Sequence, residues 1–177
     1  MNPKVYLILI NLIFGPLLLY TYYKGLNSGI DGISFWGGVP KMMRPISGIC
    51  MIVSALGYFI FTYYLLIKTN MDTMFLGKYN FWLIVILYCF ILIPSCFWMG
   101  YTVDYINGGA SNQSIWILIC SLLYTVGIAS LVLLYTLYQL NSGSNSILYN
   151  MSLIGSLIFT LHTLCLDGIM WTYFFNK

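Results

Sequence analysis

Charge is what this 177-residue chain lacks most. Lys and Arg together number seven, Asp and Glu four, and histidine appears once, so charged residues make up 6% of the total. A soluble domain carries about 25%, and a water-facing surface cannot be assembled from so few. The charges are also scattered: no Lys/Arg cluster forms a patch, so the net charge of +3 gives no basis for nucleic-acid binding. No disulfide frame or metal centre is expected either, since Cys50, Cys89, Cys96, Cys120 and Cys165 all fall in apolar runs, without a CxxC pair or a histidine at ligand spacing. Glutamate, a Walker loop, GxSxG, HExxH and paired histidines are all missing. "YTVGIAS" shares only its first letters with a potassium filter. Hydrolase, metalloprotease and potassium-channel readings lose their usual support. No cofactor is called for, and a non-catalytic role is favoured over an enzyme.

What the chain has in abundance is apolar length. Hydrophobic residues are 60% and aromatics 18%, and five runs approach the ~20 residues that cross a hydrocarbon layer: residues 5–23, 46–67, 81–101, 115–140 and 147–175. These predict an all-α fold, a polytopic integral membrane protein forming a single bundle of five transmembrane helices over residues 1–177. "VYLILINLIFGPLLLY" is continuously apolar, where a barrel strand would alternate, so a β-barrel is rejected. The first run resembles a signal peptide only at its start. Its exit, "LYTYYKG", offers bulky aromatics where a peptidase needs small residues, so it is expected to remain as a span.

Five crossings sort the residues onto two ends, an amino-terminal side A and an opposite side B. Cations divide too evenly, three to four, for the positive-inside rule to orient the chain or to tell which membrane holds it. Tryptophans divide unevenly: Trp36, Trp98, Trp116 and Trp171 belong to side B and only Trp82 to side A, while Asp31, Asp104 and Asp167 are B-side and Asp72 is A-side. The longest connection, 24–45, is also on side B; its half "SFWGGVPKMMRP" leads into helix two with Pro45 suited to the first helical turn. "NSGSNS" between helices four and five reads as a tight polar turn.

The fifth run carries the only histidine. At ~100° per residue, Tyr149, Ser152, Ser156, Thr160, Thr163, Asp167 and Trp171 share one face, a polar stripe that either packs helices together or lines a path. A carboxylate within a span costs ~2.5 to 3.5 kcal/mol on insertion scales and calls for a partner. Arg44, at the B end of helix two, is the expected one, its planar fork matching a carboxylate better than Lys41 does. His162 lies ~140° from Asp167 on an ideal α-helix, which separates the two. Bonding of its imidazole to a neighbouring helix, haem ligation and a proton relay stay open. Asn11, Pro16 and Pro94 interrupt helices one and three, while Ser47, Ser54, Gly57 and Tyr58 on one face of helix two and Gly127, Ala129 and Ser130 on helix four read as packing surfaces.

Five helices and a proline-containing first loop leading to Gly57 and Tyr58 resemble, in architecture, the translocator or tryptophan-rich sensory protein family. In that family the loop covers a pocket for porphyrins or sterols. The double proline and tryptophan run of its loop are absent from "SFWGGVPKMMRP", so no motif is shared and the chain is not assigned to it.

The leading expectation is a pocket for a small apolar or amphipathic ligand at the B end, covered by the 24–45 loop, with Trp36, Trp98, Trp171, Asp167, Arg44, His162 and Thr163 as candidate lining. The alternatives are a non-catalytic subunit or assembly factor of a larger membrane complex, and an ion or proton pathway using Asp167. The partners called for are the lipid bilayer, a small hydrophobic ligand, and a homo- or hetero-oligomer.

Overall fold

The computed structural model describes residues 2–108, 112–140 and 146–177. All the long elements are helices: α1 (Pro3–Leu26), α2 (Met43–Ile67), α3 (Trp82–Asn107), α4 (Gln113–Gln139) and α5 (Ile147–Phe174). Each is long and apolar enough to cross a membrane. Among the described residues there is no β-strand, and the polar turn expected at "NSGSNS" lies almost wholly outside them.

The helices begin where local chemistry can satisfy their first N–H groups. Asn2 accepts from the Lys4 N–H at 2.9 Å with Pro3 in the first turn, and Asn112 accepts from the Ile115 N–H at 3.3 Å. The other ends are closed by comparable means. Lys4 Nζ donates to the Leu66 carbonyl in the last turn of α2 at 2.7 Å, which ties α1 to α2 on side A. The α2–α3 connection is folded as well, with Phe75 and Tyr79 exchanging backbone bonds across a turn in which Leu76 and Gly77 both take positive φ.

Packing follows the neighbour order α1, α3, α4, α5, α2. Its tightest crossing is Gly57 of α2 against Gly155 of α5, where a Cβ added to Gly57 would lie 2.7 Å from the Gly155 carbonyl oxygen. A small residue on each helix is what permits that approach. Gly127 of α4 likewise admits Leu164. The sequence stripe on α5 is a packing seam for most of its length. The Tyr149 hydroxyl reaches the Leu137 carbonyl (3.2 Å), Thr160 donates to the Ser130 carbonyl (3.1 Å), and Thr163 meets the Ser130 hydroxyl (2.8 Å). α1 and α2 meet through side chains instead, the Tyr58 hydroxyl donating to Asn11 Oδ1 at 2.6 Å.

The core divides in two. On the A half, Leu7, Phe61, Leu65, Ile84, Tyr88, Leu133 and Leu137 are almost fully buried together. On the B half, Val39, Tyr105, Ile119, Leu123, Trp171 and Phe175 form a separate cluster. The outside is apolar throughout, with Leu12, Leu19, Phe59, Ile128 and Ile154 all exposed. Such a surface suits lipid and would associate in water.

Candidate functional site

The B end is closed by aromatic rings and by the segment between α1 and α2. That segment is shorter than the expected 24–45 loop, because α1 continues to Leu26 and α2 begins at Met43. A 3-10 turn at Ser34–Trp36 places the Phe35 carbonyl over α5, where Trp171 Nε1 donates to it at 2.9 Å. Gly37 (φ +51) and Gly38 then lie directly on the Phe174 and Phe175 backbone, and the Gly38 N–H donates to the Phe175 carbonyl at 3.2 Å. Glycine is required here: a Cβ at either position would collide with those carbonyls, and positive φ at Gly37 strains other residues.

Arg44 completes this cap from below, donating through Nε to the Val39 carbonyl (3.0 Å) and through Nη2 to the Gly37 carbonyl (3.3 Å). It therefore holds the loop and does not pair with Asp167 as expected. The guanidinium fork finds two carbonyls of its own connection, because the turn at Gly37 aims them back at α2.

Trp171 is the hub beneath the cap, buried, with ring centroids 5.9 Å from Trp98, 5.8 Å from Trp116 and 4.4 Å from Phe175. Trp116 stacks on Phe175 at 5.4 Å, and Trp36 packs half-buried at the edge. Of the tryptophans expected to border a cavity, Trp98 and Trp171 thus pack against each other, with Trp36 at the edge of the same cluster. Distances and tilts in this range are favourable aromatic geometries. Two concavities lie away from this cluster: about 600 Å³ at the A end beside Met71, Asp72 and Trp82, and about 330 Å³ on the outer face of α4 and α5 between Leu131 and Leu157.

The ionisable residues sit one layer deeper, in a part of α5 that is not α-helical. Leu161–Trp171 is π-helical, with backbone bonds to the fifth residue, between the α-helical Ile147–Thr160 and Thr172–Phe174. That geometry explains a miss. With about 4.4 residues per turn, residues five apart are separated by only about 50° where an α-helix gives ~140°. His162 and Asp167 are consequently neighbours, Nε2 to Oδ2 at 3.4 Å. Thr163 faces α4 through Ser130, away from this pair. Thr172 is tied to the Gly168 carbonyl at the end of the π stretch.

Asp167 is also within electrostatic reach of Tyr22 on α1 and Cys50 on α2. About a third of its side-chain surface (32%) is open, whereas His162 is nearly enclosed. Among the described residues, two buried polar atoms in this part of the bundle have no protein partner: His162 Nδ1 and Ser47 Oγ. The antiparallel crossing at Gly57 and Gly155 sets the register, so Cys50 and Ser47 of α2, further toward side B, come opposite the π-helical part of α5. Of these, Tyr22 was not singled out from the sequence, while Cys50 was read there as a buried apolar thiol and Ser47 as part of a packing face of helix two. The available signal was depth: counted from the B ends of their helices, they stand near the level of Asp167.

No family model matches the chain, and no curated protein or solved structure matches it. The architectural likeness to the tryptophan-rich sensory proteins therefore gains no sequence or structural support.

Proposed function

We propose that the chain is a five-span integral membrane protein that binds a small amphipathic ligand in the B half of its bundle. The ligand's polar end would lie against His162, Asp167 and Ser47, beneath the cap made by residues 27–42 and the Trp171 cluster. One observation carries this reading. Ser47 Oγ and His162 Nδ1 are buried at the level of the His162–Asp167 pair and lack partners among the described residues. Buried polar atoms are almost always hydrogen-bonded, and one left unpaired costs about 1 to 3 kcal/mol. Polar atoms left unpaired at one level of the bundle are better explained by a bound group than by packing. The π-helical stretch supports the same reading, since such irregularities are frequent at functional sites. So does its place within a span, where ionisable residues are expensive unless used.

Photoaffinity labelling of the chain in phosphatidylcholine nanodiscs tests this, using diazirine-bearing fatty alcohol, fatty amine and fatty acid in parallel. Saturable labelling of α1, α2 or α5 near Tyr22, Cys50 or Leu166 is expected with at least one probe. Labelling spread over all exposed helix faces, and not competed by unlabelled probe, would overturn the reading.

A second reading, a non-catalytic subunit or assembly factor of a membrane complex, draws on α1, of which only Leu7 and Gly25 are buried. Co-purification of a stoichiometric partner, lost on substitution along the α1 face, would favour it. An ion or proton pathway through Asp167 requires water to reach the carboxylate from both ends. The packed tryptophan cluster on side B argues against that.

A further inference from the structure

We infer that the polar end of the ligand is a protonated primary amine, so that the site selects lipophilic amines over alcohols and carboxylic acids. This rests on the ligand-binding reading above and specifies its chemistry.

Asp167 has no fixed cation beside it among the described residues. Its ionisable contact at short range is His162 at 3.4 Å, and its other electrostatic neighbours, Tyr22 and Cys50, carry no positive charge. The cations of the B side are placed elsewhere. Arg44 is held by the Val39 and Gly37 carbonyls, Lys24 Nζ stands over the Tyr20 ring at 5.8 Å, Lys177 Nζ stands over the Tyr173 ring at 3.2 Å, and Lys41 is exposed. An acidic ligand would thus bring a second negative charge to a carboxylate, with no cation to receive it. Like charges brought together in low dielectric strongly disfavour binding.

The hydrogen-bonding inventory narrows the choice further. Ser47 Oγ has lone pairs to offer and no partner, and Asp167 has acceptor capacity beyond the one contact. The Asp167 carboxylate, and Ser47 Oγ at the same level of the bundle, are acceptors that an ammonium group can meet with its N–H donors. A hydroxyl can satisfy only one of them as a donor, and it brings no charge. The aromatic faces of Tyr22 and Trp98, in edge contact at 5.7 Å, add a surface of the kind that attracts cations. The hydrocarbon tail has a way in from the bilayer: α1 and α2 lack the close backbone packing of the other neighbouring helices, and Asp167, with about a third of its side-chain surface open, is within electrostatic reach of Tyr22 on one and Cys50 on the other.

The test is a head-group series of equal tail length, using dodecylamine, dodecanol and laurate as competitors of the saturable photolabel on the full chain in nanodiscs. Dodecylamine is expected to compete at a concentration roughly tenfold or more below dodecanol, after correction for the amount of each in the bilayer, and laurate to compete no better than dodecanol. In Asp167→Asn the amine should lose its advantage and compete like the alcohol. Equal competition by all three on the unmodified chain, or better competition by laurate, would overturn the amine assignment while leaving ligand binding standing. Absence of any saturable label would remove the binding reading itself. Because the series on the unmodified chain decides alone, the inference is tested even if Asp167→Asn does not fold.

Discussion

The two halves of the bundle handle buried polarity differently. On side A the named polar groups are closed into pairs: the Tyr58 hydroxyl donates to Asn11, Thr62 meets Tyr88 at 2.7 Å and donates to the Tyr58 carbonyl at 2.6 Å, and Lys4 caps α2. On side B the cap is closed by hydrogen bonds through Trp171, Gly38 and Arg44, and beneath it Thr163 is bonded to Ser130. Two further polar atoms beneath the cap, Ser47 Oγ and His162 Nδ1, are open. The named polar groups of side A are all paired, whereas these two on side B are left over. They stand at the level of the π-helical part of α5, where the backbone departs from the geometry of the other long helices.

Four substitutions probe this contrast, each read by reversible unfolding in mixed micelles. Trp171→Ala should have the largest effect. It removes the hub of the aromatic cluster and the donor to Phe35, and loss of a buried large aromatic costs about 3 to 5 kcal/mol. Proteolysis within residues 31–42 should rise with it, because the cap loses its anchor. Resistance of that segment in the variant would mean that Gly38 and Arg44 hold the cap without the ring.

Gly57→Leu comes next. Forcing a side chain into the Gly155 backbone should cost about 1 to 3 kcal/mol, and leave the cap of side B protected. Thr62→Val should be smaller, because interhelical hydrogen bonds in membrane proteins average about 0.6 kcal/mol, though the stranded Tyr88 hydroxyl can push the loss higher. Ser47→Ala should be the smallest, within about 0.5 kcal/mol of the parent, since its hydroxyl gives up no partner in the fold. A loss as large as that for Thr62→Val would show that Ser47 is bonded within the bundle, and the contrast between the halves would vanish.

How much of this could be read in the sequence depends on which property carried the signal. Helix positions were legible because an apolar run measures its own length; the run read as 115–140 is the helix Gln113–Gln139, and 147–175 is Ile147–Phe174. The clustering of four tryptophans at one end was legible from alternating chain direction, and Trp98, Trp116 and Trp171 do meet there. Their mutual packing was not, because a bias toward one end does not say whether rings surround a space or occupy it. The Asp167 partner was misplaced for two separate reasons. Arg44 was matched to a side chain when the turn at Gly37 and Val39 had carbonyls to give it, and backbone direction in an irregular segment leaves little trace in residue types. His162 was set aside by angles that hold for an α-helix, and nothing in "LHTLCLDGIMW" announces a wider helix.

That wider helix also makes α5 sensitive to arithmetic. Side chains before and after Leu161–Trp171 are phased by the number of residues between them as much as by their kind, since each residue removed or added turns the remainder of the helix by roughly 80° at about 4.4 residues per turn. Trp171 and Phe175, which carry the cap, stand at the far end of that count. The stretch should therefore accept exchange of many of its side chains and refuse a deletion or insertion of even one, which would swing the indole away from Phe35 and unseat a loop 136 positions earlier in the chain.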